Sequence, residues 1–125
     1  MADEIHMRFP GTPEYVRLAR LAAADVGSRA EFDIDAIDDL RMAISELCGI
    51  VTGDGTRTTT LEFTITDGRV EVMGAGGAVD PTERAEFAEA LVAAVADEYE
   101  LSTDGDVATF RLVKRAGTVP TESGG

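Results

Sequence analysis

Two runs of alternating apolar and polar residues, joined by an Asp-Gly pair, constrain the fold of this chain more than any other feature. The segment reads TLEFTITDGRVEVMG, and its alternating apolar positions are Leu61, Phe63, Ile65, Val70 and Val72. A period of two is typical of a strand with one buried face, and Asp-Gly favours the tight turn of a hairpin. The segment therefore predicts an antiparallel hairpin with one face against a core.

The rest of the chain adds helices and further strands to this hairpin. The predicted elements are, in order, a strand at Ile5 to Phe9, a helix after Thr12, a helix opened by Asp33 and ended by the GDGTRT segment, the hairpin, a helix from about Thr82 to Ala96, and a second hairpin from about Tyr99 to Val113. Helices laid on one face of a sheet give a two-layer arrangement. The fold class is thus an α/β two-layer sandwich, with about three helices covering a mixed, mostly antiparallel sheet.

The ends and faces of two helices follow from single residues. Thr12 is the expected N-cap of the first helix, because its hydroxyl can accept a backbone N–H bond, and Gly27 is the expected terminator. In the third helix Phe87, Leu91 and Val95 recur at helical spacing, which predicts that they form its buried face.

Charge and composition exclude several classes of protein. The chain carries 24 acidic and 11 basic residues, a net charge of −13, which opposes binding to nucleic acid or an anionic membrane. No segment has the length and apolarity of a membrane span or a signal peptide. The only cysteine, Cys48, allows neither an internal disulfide nor a zinc cluster and is expected to pack as an apolar residue. We expect a cytoplasmic protein with a single domain at 1–115 and a disordered tail at 116–125.

The second helix carries one carboxylate in its apolar second half. Within DDLRMAISELCG, Glu46 shares a side with Met42 and Ile50 and stands apart from the main apolar stripe. A solvated helix face and a functional site both accommodate such a residue. The role of Glu46 therefore has to be inferred from the surrounding sequence.

Three segments, taken in order, resemble the anti-sigma-factor serine kinase family. They are DDLRMAISELCG, similar to the ATP-site helix of the family, VEVMGAGGAVDP, similar to its glycine-containing strand-to-loop motif, and DEYELSTDGDVATFRLVKR, similar to its final hairpin. The resemblance spans roughly Met7 to Arg115 and implies the histidine-kinase-like ATPase fold. It also implies a bacterial regulator that binds a sigma factor or an antagonist protein.

The family's functional positions are only partly retained. Glu46 matches the residue that polarises the attacking serine hydroxyl, but Ile50 stands where a magnesium-binding Asn is implied, and an isoleucine offers a hard cation no oxygen. Gly74 stands where an Asp would accept a hydrogen bond from adenine, and Gly76 and Gly77 are what remains of the glycines that follow. The long lid before the third helix is missing. The resemblance therefore implies a degenerate nucleotide site with a vestigial Glu46, no metal and no cofactor.

Two smaller features have plainer interpretations. The segment GAGGAVDP lacks the Lys-Ser/Thr of a P-loop and the spacing of a dinucleotide fingerprint, so a flexible strand-to-helix connection is favoured. His6 has no second ligand at a suitable spacing and is expected on the surface of a strand.

The leading functional hypothesis is a non-catalytic anti-sigma-factor-like regulator that binds its protein partner without nucleotide. The alternatives are an active ATP-dependent serine kinase, supported by Glu46, and a degenerate homodimer with a structural or small-ligand role. The family resemblance and the edge of the first strand, Ile5 to Phe9, favour a homodimer. The acidic stretches Asp33 to Asp39 and Asp97 to Glu100 are the candidates for steering a basic partner surface.

Overall fold

The computed structural model describes residues 2–52, 56–77 and 83–117 of the chain. A short 3₁₀ turn at Pro13–Tyr15 precedes the first α-helix. The remaining elements are, in chain order, β1 (Asp3–Pro10), α1 (Val16–Arg29), α2 (Ile34–Val51), β2 (Thr58–Thr66), β3 (Arg69–Gly77), α3 (Glu83–Val95), β4 (Glu98–Asp104) and β5 (Val107–Arg115). None of the helices described is long and apolar enough to cross a membrane.

The five strands form one sheet in the order β1-β2-β3-β5-β4, and every pairing in it is antiparallel. Alternate residues of β2, β3 and β5 are buried and join the buried faces of α1 and α2 in one core. Because only one face of the sheet receives helices, the molecule has two layers. The predicted two-layer α/β sandwich is confirmed.

Both predicted hairpins are present. Asp67 and Gly68 connect β2 to β3, and Gly68 has a φ of +68°, a backbone conformation that glycine adopts without steric cost. The second hairpin turns at Gly105, with a φ of +63°. The glycine in each Asp-Gly pair thus sets the turn that aligns the strands.

The predicted ends of the first helix are only partly correct. Thr12 is the N-cap residue of the 3₁₀ turn that leads into α1, but its hydroxyl makes no capping bond and is buried without a partner among the described residues. At the other end, Gly27 is buried inside α1, where a Cβ would lie 3.1 Å from Cγ1 of Ile37. Gly27 therefore serves the close packing of α1 on α2.

The actual terminator of α1 is Glu31. Its φ is +63°, and its N–H bonds to the carbonyl of Ser28 while the N–H of Phe32 bonds to that of Gly27. These two bonds form a Schellman motif, in which the left-handed position usually belongs to glycine. Because this position holds a glutamate and not a glycine, the usual sequence signal for a helix end is absent.

The buried face of α3 also differs from the prediction. Phe87 is 66% exposed, while Ala88 and Val92 are buried. Apolar residues occupy nearly every side of the C-terminal half of this helix, so spacing alone did not decide which of them face the core. The small side chain of Ala88 lets the helix approach its neighbours closely.

Lys114 lies on the helix-covered side of β5 and connects this strand to α2 and α3. Its ammonium group lies 3.2 Å from an oxygen of Asp39 on α2 and donates to the carbonyl of Val95 on α3 at 2.8 Å. The lysine side chain is only 14% exposed, so these contacts replace water around its charge.

The ordered chain continues past β5, since the N–H of Ala116 bonds to the carbonyl of Gly68. Residues 118–125 of the predicted tail lie outside the described residues.

Replacing Glu31 by glycine tests the Schellman motif. Glycine removes the steric cost of the left-handed conformation, so E31G should raise the free energy of unfolding by about 0.5–1 kcal/mol. The matched control is S28G, on the exposed side of the helix three residues earlier, which should lower it by about 0.5 kcal/mol. Urea denaturation followed by circular dichroism measures both. A destabilised E31G variant would contradict this account of the helix end.

Candidate functional site

Helix α2 carries the first of the predicted site residues. Its N-terminus is fixed by Asp33, whose carboxylate accepts the N–H of Ala36 at 2.8 Å, as the acidic helix start predicted. The helix then buries its apolar stripe in the core; the stripe comprises Leu40, Ala43, Ile44, Leu47, Cys48 and Val51. These contacts fix the rotation of α2 and therefore the direction of its remaining side chains.

Glu46 lies on the flank of α2, not on its buried face. It is half-buried and shares a side of the helix with Asp39, seven residues earlier, which bonds to Lys114. Glu46 itself makes no hydrogen bond or ion pair with any residue that the structure describes. A general base needs a partner that orients it and a proton within reach, and no described side chain supplies the orienting contact.

Ile50 lies one helical turn beyond Glu46 and is half-buried against the core. It brings methyl and methylene groups to the position where the resemblance implies an oxygen ligand for magnesium. Within residues 2–52, 56–77 and 83–117, no group of three or more His, Cys, Asp or Glu side chains could hold a metal ion. The residues present do not fit a magnesium ion.

The third site position, Gly74, is covered by an aromatic ring. Gly74 pairs with Phe110 of β5, and a Cβ built on Gly74 would overlap the Cε2 atom of that ring. Phe110 is itself 3% exposed, so the ring is confined between the sheet and the helix layer. The space that an aspartate side chain would need at position 74 is filled by Phe110.

Gly76 serves a second close approach. A Cβ at this position would overlap the carbonyl oxygen of Val51, the last residue of α2, and would lie 3.1 Å from Oγ1 of Thr59. The Thr59 hydroxyl donates to the same carbonyl at 3.5 Å. The C-terminal end of α2 therefore rests directly on the backbone of β3.

The segment that was expected to be a flexible connection is mostly strand. Gly74 to Gly77 pair with β5 as far as Val107, which corrects that expectation for the first half of GAGGAVDP. Its second half lies outside the described residues, as does the chain where the lid was predicted to be missing. Since β3 ends at Gly77 and α3 begins at Glu83, residues 78–82 form the whole connection.

A shallow depression of about 370 Å³ lies near these glycines, but Glu46 and Ile50 do not line it. Its lining residues are Arg57, Thr58, Thr60, Ala75, Gly76 and Val107. The side chains of Thr60 and Ala75 alternate with the buried positions of their strands, so the depression opens on the face of the sheet that the helices leave uncovered. Of the residues of the implied nucleotide site, Gly76 alone is among those that line the depression.

The chain is similar to known proteins in both sequence and structure. A scan against models of protein families finds no match. The serine-protein kinase RsbW of Listeria monocytogenes serotype 4a (strain HCC23) is 36% identical over 77 residues, which cover 58% of this chain and 49% of that protein. The serine-protein kinase RsbW of Bacillus subtilis (strain 168) is 47% identical over 47 residues, which cover 38% of this chain and 29% of that protein. The chain is therefore similar in sequence to the RsbW serine-protein kinases over these segments.

A solved structure shows the same fold. The RsbU and RsbW domains of Rv1364c from Mycobacterium tuberculosis match 94% of this chain and 35% of that one, with a TM-score of 0.69 and 18% identity. The resemblance to the anti-sigma-factor serine kinase family is thus confirmed, together with the fold that it implied. The chain spans about half the length of the curated relatives it matches.

Cys48 has no part in this RsbW-like site. Its side chain is buried, and burial raises the pKa of the thiol to about 12 because the thiolate would lose its solvation. The thiol stays protonated and unreactive at neutral pH. The expectation that Cys48 packs as an apolar residue is confirmed.

A cluster of charges that the sequence did not predict surrounds Arg111 on the uncovered face of the sheet. Arg111 contacts Glu71 at 2.5 Å and Glu98 at 3.3 Å, and Arg115 contacts Glu98 at 2.9 Å. Hydrogen bonds from Arg115 and then Arg111 lower the pKa of Glu98. The alternation of the strands could have placed these residues on one face, but their pairing needed the register between β3, β4 and β5.

The predicted acidic stretches are consequently neutralised in part. In the second stretch, Glu98 and Glu100 both lie within ion-pair distance of Arg111. In the first, Asp38 pairs with Arg41 and Asp39 with Lys114, whereas Asp35 is exposed and has no partner among the described residues. The start of α2 therefore retains more free negative charge than the start of β4.

A methyl group at position 74 tests the contact with Phe110. G74A should lower the free energy of unfolding by about 1–3 kcal/mol, because the ring must move out of a packed core. G49A is the matched control, since a Cβ at Gly49 in α2 meets no other atom within 4 Å. It should raise stability by about 0.5–1 kcal/mol, as alanine does in a helix. Urea denaturation measures the free energy of unfolding of both variants. Equal stability of G74A and the unmodified chain would contradict the close contact between Gly74 and Phe110.

Proposed function

We propose that the chain is a non-catalytic regulator that binds a sigma factor, an antagonist protein of the family, or both, through its protein surface and without nucleotide. The observation that carries this proposal is the ring of Phe110 over Gly74, which takes the place of the group implied to recognise adenine. Ile50 supports it independently, because it removes the oxygen implied for magnesium. The protein would be a cytoplasmic pseudokinase with a vestigial Glu46 and no ATP or Mg²⁺.

Phosphoryl transfer depends almost entirely on metal coordination and on positioning of the phosphates. The connection from β3 to α3 consists of residues 78–82 alone, too few for the long lid that the resemblance implies. Glu46, the retained catalytic position, has no orienting contact among the described residues. The second candidate function, an active ATP-dependent serine kinase, is supported only by the presence of this glutamate.

Calorimetric titration with ATP and Mg²⁺ tests the loss of nucleotide binding. We expect no saturable heat at millimolar nucleotide, whereas the Listeria serine-protein kinase RsbW, titrated in parallel, serves as the positive control. A saturable isotherm for this chain would contradict the proposal and favour the active kinase.

A set of restoring variants identifies what blocks the site. I50N/G74D should still not bind, because the aspartate competes with the Phe110 ring for the same space. Adding F110A removes the ring, and this triple variant should bind ATP weakly at most. Circular dichroism first establishes that each variant is folded. Tight binding by the double variant would show that Phe110 does not close the site.

The partner surface is expected near the start of α2. Exposed carboxylates there would attract a basic partner and accelerate association at low ionic strength. D35N/D38N should slow the association of a sigma factor from the native host and weaken its dependence on salt, as measured by surface plasmon resonance. D104N/D106N, on the β4–β5 turn, is the matched control and should change neither. If neither the salt concentration nor D35N/D38N changes the association rate, the steering role of these carboxylates is contradicted.

The protein would act as a homodimer, as the edge of the first strand suggested. Strand β1 lies at the end of the sheet and pairs only with β2 in the part of the chain that the structure describes. A long, regular edge strand presents unpaired backbone groups to any second strand.

A further inference from the structure

Two large apolar side chains are exposed on neighbouring helices of the helix layer. Phe87 on α3 is 66% exposed, and Met42 on α2 is 43% exposed. Leu91, one turn beyond Phe87, is half-buried. Exposed apolar side chains that lie together mark surfaces that bind another molecule, whereas single ones are ordinary. The arrangement of α2 and α3 therefore decides whether these residues form one patch.

The two helices pack against each other and run antiparallel. At one end, the carbonyl of Val51 closes α2 against the backbone of β3, and α3 begins shortly after that strand ends at Gly77. At the other end, Lys114 contacts both Asp39 of α2 and the carbonyl of Val95, the last residue of α3. The start of α3 thus lies near the end of α2, and its end lies beside the first half of α2.

The side of α2 that faces α3 follows from its buried residues. Asp39 is directed toward α3 by its bond to Lys114, and it directly precedes the buried Leu40. Glu46 lies on the same side and directly precedes the buried Leu47. Two antiparallel helices that lie side by side on one sheet are related by an approximate two-fold axis normal to the sheet. The residues of α3 that face α2 are therefore also those directly before buried positions.

On α3 these positions are Phe87 and Leu91, which directly precede the buried Ala88 and Val92. The two side chains are one turn apart and form a continuous apolar edge along the flank of α3 that faces α2. Because Phe87 is largely exposed, this edge borders solvent and not the core.

Glu46 lies opposite this apolar edge. The seven residues from Asp39 to Glu46 and the seven from Val95 back to Ala88 both span about 10 Å, so Glu46 and Ala88 lie at nearly the same level. Met42, one turn before Glu46, is exposed on the same flank of α2. The surface between the helices thus places a carboxylate among apolar side chains. We call it the α2–α3 valley, and it comprises Met42, Glu46, Phe87 and Leu91.

The charges around the α2–α3 valley are negative. Glu46 and the exposed Glu86 make no ion pair with any residue in the described part of the chain. Of the basic side chains described beside the valley, Arg41 and Lys114 each pair with an aspartate. The valley therefore complements a ligand that carries positive charge and apolar groups together.

We propose that the α2–α3 valley binds one amphipathic helix of a partner protein, with an apolar stripe on Phe87 and Met42 and a Lys or Arg paired with Glu46. Helix α3 has 13 residues and a length of about 20 Å, which accommodates about four turns of a bound helix. This inference rests on the proposed function, since it names a surface that would hold a protein partner. It gives Glu46 a binding role in place of a catalytic one.

Other occupants match this surface less well. A second copy of the chain would bring Glu46 and Glu86 against the same acidic surface, and like charges oppose such a contact. A nucleic acid meets the same repulsion through its phosphates. A basic amphipathic helix satisfies both the charge and the apolar surface of the valley.

A synthetic helix tests whether the valley binds such a ligand. The probe is a fluorescein-labelled peptide of about 15 leucines and lysines, with the leucines at helical spacing. Fluorescence anisotropy should show saturable binding in the micromolar range. A peptide with the same composition but scrambled leucine spacing, and one with glutamate in place of lysine, should bind roughly tenfold more weakly or less. Absence of saturable binding, or equal affinity for the scrambled peptide, would overturn the proposal.

Two pairs of variants assign the binding to the α2–α3 valley. F87A should raise the dissociation constant roughly tenfold by removing an aromatic anchor, whereas L21A removes a side chain that is 63% exposed on α1 and should leave it unchanged. E46Q should raise the constant roughly threefold or more and weaken its dependence on salt. Its control, E62Q on the uncovered face of the sheet, should do neither.

These variants can contradict the proposal independently of the nucleotide titration. An unchanged affinity in F87A or E46Q, or equal losses in each variant and its control, would overturn the assignment of the valley. Phe87 and Glu46 lie outside the core cluster, so both variants are expected to keep the fold, which circular dichroism verifies. Calorimetry with ATP reports on the non-catalytic role alone, so either proposal can fail while the other stands.

Discussion

The structure depends on how closely α2 and Phe110 approach the central strand β3. Gly74 leaves room for the ring of Phe110, and Gly76 leaves room for the carbonyl of Val51 at the end of α2. Interiors are packed so densely that a single added carbon at such a contact forces a displacement. The same two glycines lie where the anti-sigma-factor serine kinase family is implied to bind nucleotide. We propose that this packing takes up the space of the implied nucleotide site.

Charged groups complete the assembly around this core. The partly buried ammonium of Lys114 connects β5 to α2 and α3, and Asp33 fixes the start of α2. On the uncovered face, Arg111 is surrounded by three glutamates. These ion pairs leave the net charge of −13 unchanged, and the exposed carboxylates without a basic neighbour are those available to a partner.

The sequence predicted the features that depend on local chemistry. Asp-Gly pairs predicted both hairpins, and Asp33 predicted the start of α2. These predictions succeeded because a turn or a cap is a property of one residue and its neighbours in the chain. The changed site inferred from Glu46 and Ile50 stays a prediction.

The features that escaped prediction depend on residues far apart in the sequence. Gly27 resembled a terminator but is a packing contact with Ile37, and the true helix end uses Glu31 in a conformation that favours glycine. The role of Phe110 required the register of β5 against β3, because only that register places the ring on Gly74. Phe87 was wrongly assigned to the buried face because apolar residues occupy nearly every side of the C-terminal half of α3. In each case a tertiary contact, and not the local sequence, determined the structure.

The central claim is that Phe110 and the end of α2 close the implied nucleotide site. Two-dimensional ¹H–¹⁵N NMR spectra recorded with and without ATP and Mg²⁺ test it most directly, because the amides of Gly74, Gly76 and Glu46 report on that site individually. The account predicts that these resonances do not move as nucleotide is added to millimolar concentration. Saturable shifts concentrated at those amides would show that the site opens and binds nucleotide, and would contradict it.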